Sequence, residues 1–186
     1  MVLSMDNEAS HVYRRPMTTT PTGTRTKTVS WDDPLAAATE GARLSGMDYL
    51  TALLAGELPP PPISRLLGFT LASVADGEAV FTCTPDESVY NPIGLVHGGL
   101  VCTLLDSAIG CAVQTQLAAG TGYTSLELKV SYLRPVRADS GVLTARGWVV
   151  RPGRRATFAE GSVTDGQGKV VATASGTCLV MAPSSP

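Results

Sequence analysis

Several features that define large functional classes are scarce in this sequence. Only two histidines, His11 and His97, occur in 186 residues, and neither lies in an HxH or HExxH pattern. The four cysteines are scattered through apolar stretches without any CxxC pair. Since metal centres need clustered ligands, we expect no metal site, and we interpret the cysteines as buried reduced thiols.

Excess positive charge and long apolar runs are absent as well. The formal net charge is −2, so no basic field spans the chain to attract a nucleic acid. Asp6 and Glu8 stand where a secretory signal needs a cationic start. The most apolar run, Leu100 to Val113, contains Asp106 and is too short to cross a bilayer. We therefore expect a cytoplasmic protein that binds neither nucleic acid nor membrane.

Composition divides the chain into three parts. Residues 1–45, rich in threonine and poor in large apolar groups, predict a flexible arm with a helix candidate at 35–44 that Gly46 ends. Residues 46–59 predict an N-terminal helix, because leucines recur there at helical spacing. Residues 60–186 form the main domain.

The main domain combines strands with one long apolar helix. The segment Leu100 to Leu117 has too few polar residues for a surface helix, which predicts that it is buried nearly all round. Turn sequences such as Asp76-Gly77 and Pro152-Gly153 join neighbouring antiparallel strands. The strand candidates are 69–74, 78–84, 123–133, 142–150, 156–164 and 169–181. This order predicts an α+β fold in which an antiparallel sheet wraps around the helix.

The start of this helix carries two glycines. Gly98 and Gly99 lie where the first N–H groups lack an intrahelical partner and where the helix dipole is positive. Without side chains they let a ligand oxygen approach the backbone, and such a terminus can stabilise a carbonyl oxygen that gains charge. The alternative is that they only make a tight junction between loop and helix.

Asp106 lies inside the apolar run with no cation three or four positions away. Because an unpaired buried carboxylate is costly, either a partner arrives from elsewhere in the fold or the group is retained for chemistry. Gly98 and Asp106 are too far apart to touch one carbonyl, since eight residues of helix span about 12 Å. A two-fold dimer with antiparallel helices would bring Asp106 of one subunit towards Gly98 of the other.

Other polar residues near this helix leave alternatives open. His97 either orients the loop or a ligand, or it bonds to the backbone. Asn91 either fixes the loop or a water, or it makes an ordinary turn before a proline. Near the predicted turns, Arg134, Arg137 and Arg154 either meet the phosphates of a substrate or remain solvated.

The stretch Asn91 to Asp106, NPIGLVHGGLVCTLLD, resembles the PaaI-type hotdog-fold acyl-CoA thioesterases. The resemblance covers roughly residues 60–181, and Ser125 to Val136, SLELKVSYLRPV, looks like the first long strand after the helix in that family. It implies a hotdog fold, in which a curved antiparallel sheet surrounds a central helix, and dimers that often pair into tetramers.

The resemblance also implies an activity and roles for matching residues. The expected reaction hydrolyses an acyl- or aryl-CoA thioester to the free acid and CoA without a cofactor. Asp106 would act as general base or nucleophile, and the Gly98 N–H would polarise the thioester carbonyl. Asn91 and His97 would shape the site, and Ser125 matches a hydroxyl that assists the attacking water in some relatives. The rival hypothesis is a hotdog module that binds acyl-CoA without hydrolysing it.

Overall fold

The computed structural model describes residues 23–181, so residues 1–22 of the predicted arm and residues 182–186 lie outside the described part. In chain order the helices are α1 (Pro34–Gly41), α2 (Gly46–Ala55), α3 (Pro62–Leu67) and α4 (Gly98–Gln114). The strands are β1 (Phe69–Ala75), β2 (Glu78–Cys83), β3 (Gly122–Tyr132), β4 (Leu143–Arg151), β5 (Ala156–Thr164) and β6 (Val170–Met181).

Local sequence signals set the bounds of the N-terminal helices. The Asp33 side chain accepts from the Leu35 N–H at 2.9 Å and caps α1. Ser45 caps α2, so Gly46 begins this second helix rather than ending the first, as the sequence had suggested. The helix expected over residues 46–59 ends at Ala55, because Gly56 adopts the left-handed conformation with φ 74°.

The strands form one six-stranded antiparallel sheet in the order β1-β2-β4-β5-β6-β3. Tight turns join β1 to β2, β4 to β5 and β5 to β6, as predicted. The pairing of β2 with β4 and of β3 with β6 links strands that are distant in sequence. The sheet packs around α4, so the predicted α+β architecture is confirmed, and β3 lies at a sheet edge.

The inner face of the sheet is lined by small residues where α4 crosses it. Gly147 pairs with Gly161, which in turn pairs with Ala174. A Cβ built on Gly147 would lie 2.3 Å from the carbonyl carbon and oxygen of Ala108, in the middle of α4. The helix backbone therefore sits closer to the sheet than any side chain at position 147 would allow.

One face of α4 remains open. Leu104, Leu105 and Ala108 are completely buried against the sheet, but Asp106 is exposed. The expectation that this helix is buried nearly all round is therefore wrong for the single chain. The reason is geometric, since one curved sheet covers only one side of a helix.

The extended segment before α1 forms ion pairs and a hydrogen bond with residues 86–88, which lie between β2 and α4. Lys27 Nζ lies 3.0 Å from Asp86 Oδ2 and 3.1 Å from Ser88 Oγ, and Arg25 pairs with Glu87. Hydrogen bonds from Ser88, followed by the one from Lys27, lower the pKa of Asp86 to about 2. Ion pairs this exposed contribute little to stability, so they orient the segment more than they hold the fold.

We expect replacement of Gly147 by Ala to destabilise the fold strongly. The added Cβ meets helix backbone, which cannot rotate away, so the free energy of unfolding should fall by about 3 kcal/mol. Urea denaturation measures this change. Gly122→Ala is the matched control, because a Cβ there meets only the flexible end of Met181, at 3.1 Å. Equal stability of the two variants would contradict the close packing of α4 on the sheet.

Candidate active site

The loop before α4 is shaped by Asn91. Its Oδ1 accepts hydrogen bonds from the N–H groups of Ile93 and Leu95, each at 3.1 Å. Tyr90 and Val96 pair across the same loop in an isolated antiparallel bridge. The Asn91 side chain thus bonds to the backbone of its own loop, an arrangement that both alternatives for this residue include.

His97 occupies the N-cap of α4. Its Nδ1 accepts a hydrogen bond from the Gly99 N–H at 2.8 Å, which satisfies an amide that has no partner within the helix. An accepting Nδ1 carries no proton, so the proton of the neutral ring lies on Nε2. The backbone-bonding alternative for His97 is the one observed, and the Gly99 N–H is engaged within its own chain.

Tyr132, at the end of β3, holds Gly98 in place by a hydrogen bond. The Tyr132 hydroxyl donates to the Gly98 carbonyl oxygen at 2.9 Å, and a Cβ on Gly98 would lie 3.1 Å from the tyrosine ring. No residue of the described part accepts a hydrogen bond from the Gly98 N–H. Sequence reasoning missed Tyr132, because 34 residues separate it from Gly98 and only folding brings them together.

Asp106 and Ser125 form a pair on the open face of α4. The Ser125 hydroxyl on β3 donates to Asp106 Oδ1 at 2.8 Å, and both residues are exposed in the single chain. Among residues 23–181, no Lys, Arg or His nitrogen lies within 4.0 Å of the carboxylate. The sequence left open which group pairs with Asp106. Within the described residues this group is the Ser125 hydroxyl rather than a cation, and the second carboxylate oxygen, Oδ2, is available to a ligand.

The cysteines near Asp106 remain thiols. Burial, followed by the charge of Asp106, raises the pKa of Cys102, and burial raises the pKa of Cys111 to about 12. Burial also raises the pKa of the Tyr123 hydroxyl, which contacts Cys111. These groups stay protonated at neutral pH, so neither the two thiols nor the tyrosine hydroxyl supplies a base beside Asp106.

A large groove begins at the Asp106–Ser125 pair. Its volume is about 870 Å³, within the range of small-molecule sites. Asp106, Ser107 and Cys111 of α4 line one side, and residues of α2, α3, β1 and the proline-rich segment between α2 and α3 line the other. Sequence reasoning did not assign α2 or α3 to the site, because nothing in their local pattern indicates which face meets α4.

The structure separates other predicted site residues. Arg134 donates to the Val170 carbonyl oxygen at 2.6 Å, and with Gly98 it lines a small pocket at the N-terminal end of α4. Arg137 precedes the short 3-10 turn Ala138–Ser140, and Arg154 lies in the turn between β4 and β5. The three arginines therefore do not form one cluster within the chain.

Within residues 23–181, no three His, Cys, Asp or Glu side chains gather in a group suited to a metal ion. In that same stretch, no helix has the length and apolar character needed to cross a membrane.

Comparison with known proteins identifies the family to which the chain belongs. Residues 93–172 match the model of the Thioesterase superfamily. A protein of Halobacterium salinarum that carries an esterase name is 35% identical over 121 residues, covering 62% of this chain and 78% of that protein. Acyl-coenzyme A thioesterase 13 of Homo sapiens is 31% identical over 111 residues, covering 58% of this chain and 77% of that protein. The chain belongs to the thioesterase superfamily.

A solved structure supports the same assignment. The PaaI protein of E. coli is 26% identical, with a TM-score of 0.65 over 75% of this chain and 97% of that chain. The hotdog fold predicted from the sequence is confirmed, and as a member of the thioesterase superfamily the protein is a thioester hydrolase.

The residues matched to the thioesterase superfamily supply only one side of the groove. They include the helix start at Gly98, the Asp106–Ser125 pair and Tyr132. They exclude α2 and α3, which form the opposite side. The side that carries the candidate site residues is thus the part that the family model describes.

The N-cap role of His97 predicts different outcomes for two substitutions. His97→Asn keeps an acceptor for the Gly99 N–H, so stability and thioesterase rate should stay near wild type. His97→Ala removes the acceptor and should cost about 1 kcal/mol of unfolding free energy. Thermal unfolding and a steady-state thioesterase assay measure both effects. Equal loss of turnover in the two variants would show that the imidazole transfers a proton instead.

Proposed function

We propose that this protein hydrolyses acyl-CoA thioesters to a free acid and CoA, with Asp106 as the catalytic carboxylate. The observation that carries the proposal is the exposed Asp106–Ser125 pair at the end of a groove of about 870 Å³. The acyl-coenzyme A thioesterase named among the relatives supports the choice of CoA as the thiol.

The carboxylate acts on water in this mechanism. Ser125 occupies Oδ1, so Oδ2 accepts a proton from a water whose oxygen attacks the thioester carbonyl carbon. The tetrahedral intermediate then collapses, the C–S bond breaks, and CoA leaves with the sulfur electron pair and the proton from Asp106. In the variant in which Asp106 is the nucleophile, Oδ2 attacks the carbonyl carbon, the C–S bond breaks and CoA leaves as the thiolate. A water then hydrolyses the acyl-aspartyl anhydride, which releases the free acid and regenerates the Asp106 carboxylate, and the second proton of that water neutralises the thiolate.

The oxyanion is stabilised by the Gly98 N–H. This N–H lies at the positive end of α4, in a residue whose own carbonyl oxygen accepts from Tyr132, and in this mechanism it donates to the charge that develops in the transition state. The Gly99 N–H does not donate to the substrate, because it donates to His97. Gly99 instead lets the substrate approach the backbone closely, since it has no side chain. Asn91 and His97 are positioning residues that order the loop carrying this donor.

The complete site requires two copies of the chain. Within one α4, Gly98 and Asp106 are about 12 Å apart along the axis, too far to act on one carbonyl. β3 lies at the sheet edge beside the open face of α4, and its Leu126 and Tyr132 are exposed. Two-fold pairing of β3 edges would place the α4 helices side by side and antiparallel, with two equivalent sites.

The phosphates of CoA are assigned to the arginines near the Gly98 end. Arg134 and Arg137 flank that end of the sheet, where they suit the nucleotide of a substrate whose carbonyl contacts Gly98. Arg154, at the other end, reaches the same substrate only from the partner subunit. Dimers of this kind can pair further into tetramers.

Asp106→Asn should abolish turnover without loss of fold. The amide cannot accept the proton, so kcat should fall by at least about 100-fold, while acyl-CoA binding persists. Thiol release measures turnover, and calorimetric titration measures binding. Asp76→Asn is the matched control, since it removes a carboxylate whose Oδ1 accepts from Gln116 and which is remote from the groove. Wild-type kcat in Asp106→Asn would refute the assignment, and binding without hydrolysis by the wild type would identify a binding module.

Complementation between two inactive variants tests the shared site. Gly98→Pro removes the N–H at the first helical position, which tolerates proline, and should lower kcat about 100-fold or more. Gly98→Ala adds a Cβ but keeps the N–H, so it serves as the control. Co-folding Gly98→Pro with Asp106→Asn should restore about a quarter of the wild-type rate, because half the dimers are mixed and each has one intact site. No recovery would place both groups in the same chain's site.

A further inference from the structure

The groove has a wall that the reaction itself does not use. Opposite Asp106, its surface comes from α2, α3 and the Pro59–Pro61 run between them, together with β1. We propose that this N-terminal wall, residues 46–67, selects the acyl group, and that it admits uncharged apolar chains or rings. This inference rests on the proposed hydrolysis of acyl-CoA.

The wall is fixed to the core at its N-terminal end. The Gly46 N–H donates to the Leu117 carbonyl oxygen at 2.9 Å, and a Cβ on Gly46 would lie 1.7 Å from the Gln114 carbonyl oxygen. Leu50 is completely buried beneath α2. Backbone contact this close ties α2 to the end of α4, so the width of the groove is set by the fold.

The second half of the wall is equally constrained. The Ser64 hydroxyl is buried and donates to the Pro61 carbonyl oxygen at 2.8 Å. Prolines restrict the backbone between α2 and α3, and Gly68 ends α3 in the left-handed region with φ 71°. A wall built this way discriminates by shape, because it cannot move far to admit a bulkier group.

The lining of the groove indicates the chemistry of its occupant. Leu50, Phe69 and Phe81 are buried and form its floor, and Leu53 and Leu58 contribute half-buried side chains. The charged lining residues at its rim, Asp32, Glu57 and Arg65, are all exposed. With Arg65 as the single arginine among its described lining residues, the groove does not suit the phosphates of CoA, and a carboxylate on the acyl chain would lose its hydration against the apolar floor.

The test is the dependence of kcat/KM on the acyl group. For wild type, a series of saturated esters from butyryl-CoA upwards should show about a fourfold gain per methylene until the groove is filled. Hexanoyl-CoA should exceed adipoyl-CoA, which ends in a carboxylate, by at least about tenfold. Equal rates for these two esters would overturn the inference about charge.

Two variants test the wall itself. Leu53→Trp should reduce kcat/KM for the longest esters by about tenfold and leave butyryl-CoA within about twofold of wild type. Leu54→Trp, at a more exposed lining position, should shift the profile in the same direction. Because the larger side chain is easier to accommodate there, this second variant still tests the wall if Leu53→Trp misfolds. Leu66→Trp is the control and should keep the wild-type profile, because Leu66, although within residues 46–67, is 51% exposed on α3 and does not line the groove.

The outcomes separate this inference from the proposed function. If both lining variants hydrolyse every ester with the wild-type profile, the N-terminal wall does not select the acyl group, although the enzyme is an acyl-CoA thioesterase. If the wild type hydrolyses no CoA ester of any length, the proposed function fails and the inference fails with it.

Discussion

The close packing of α4 on the sheet is the constraint on which the rest of this structure depends. Gly147 faces the Ala108 carbonyl with no room for a Cβ, and Gly161 continues the same row on the next strand. Leu104 and Leu105, on the same helix, are fully buried. The hydrophobic core is therefore organised around one helix that packs closely against one sheet.

The same packing leaves one face of the helix uncovered by the sheet. A sheet covers one side only, so the opposite side of α4 carries Asp106 into solvent, where Ser125 of the edge strand donates to it. The N-terminal helices close over part of this face and turn it into a groove. In the proposed mechanism, the helix supplies a base in its middle and an oxyanion donor at its start, and their spacing makes a partner subunit necessary.

Much of the fold could be predicted because its signals are local. Asp76-Gly77 indicated the β1–β2 hairpin, and the spacing of the leucines indicated α2, although Gly56 ends that helix earlier than expected. His97, Gly98 and Asp106 stood out because their residue types are unusual at a helix start and within an apolar run. The placement of Gly46 was wrong, since a cap at Ser45 decides which helix the glycine joins. The order of strands across the sheet was not predicted beyond the hairpins.

The sequence by itself determined most of the secondary structure, the family resemblance and the residues capable of chemistry, because each depends on turn residues, periodicity or a contiguous motif. Only the tertiary structure decided that β3 lies at the sheet edge beside β6, that Tyr132 holds Gly98, and that α2 and α3 face Asp106 across a groove. These are contacts between segments far apart in the chain. Their geometry is set by how the sheet curves around α4, and no local pattern encodes that curvature.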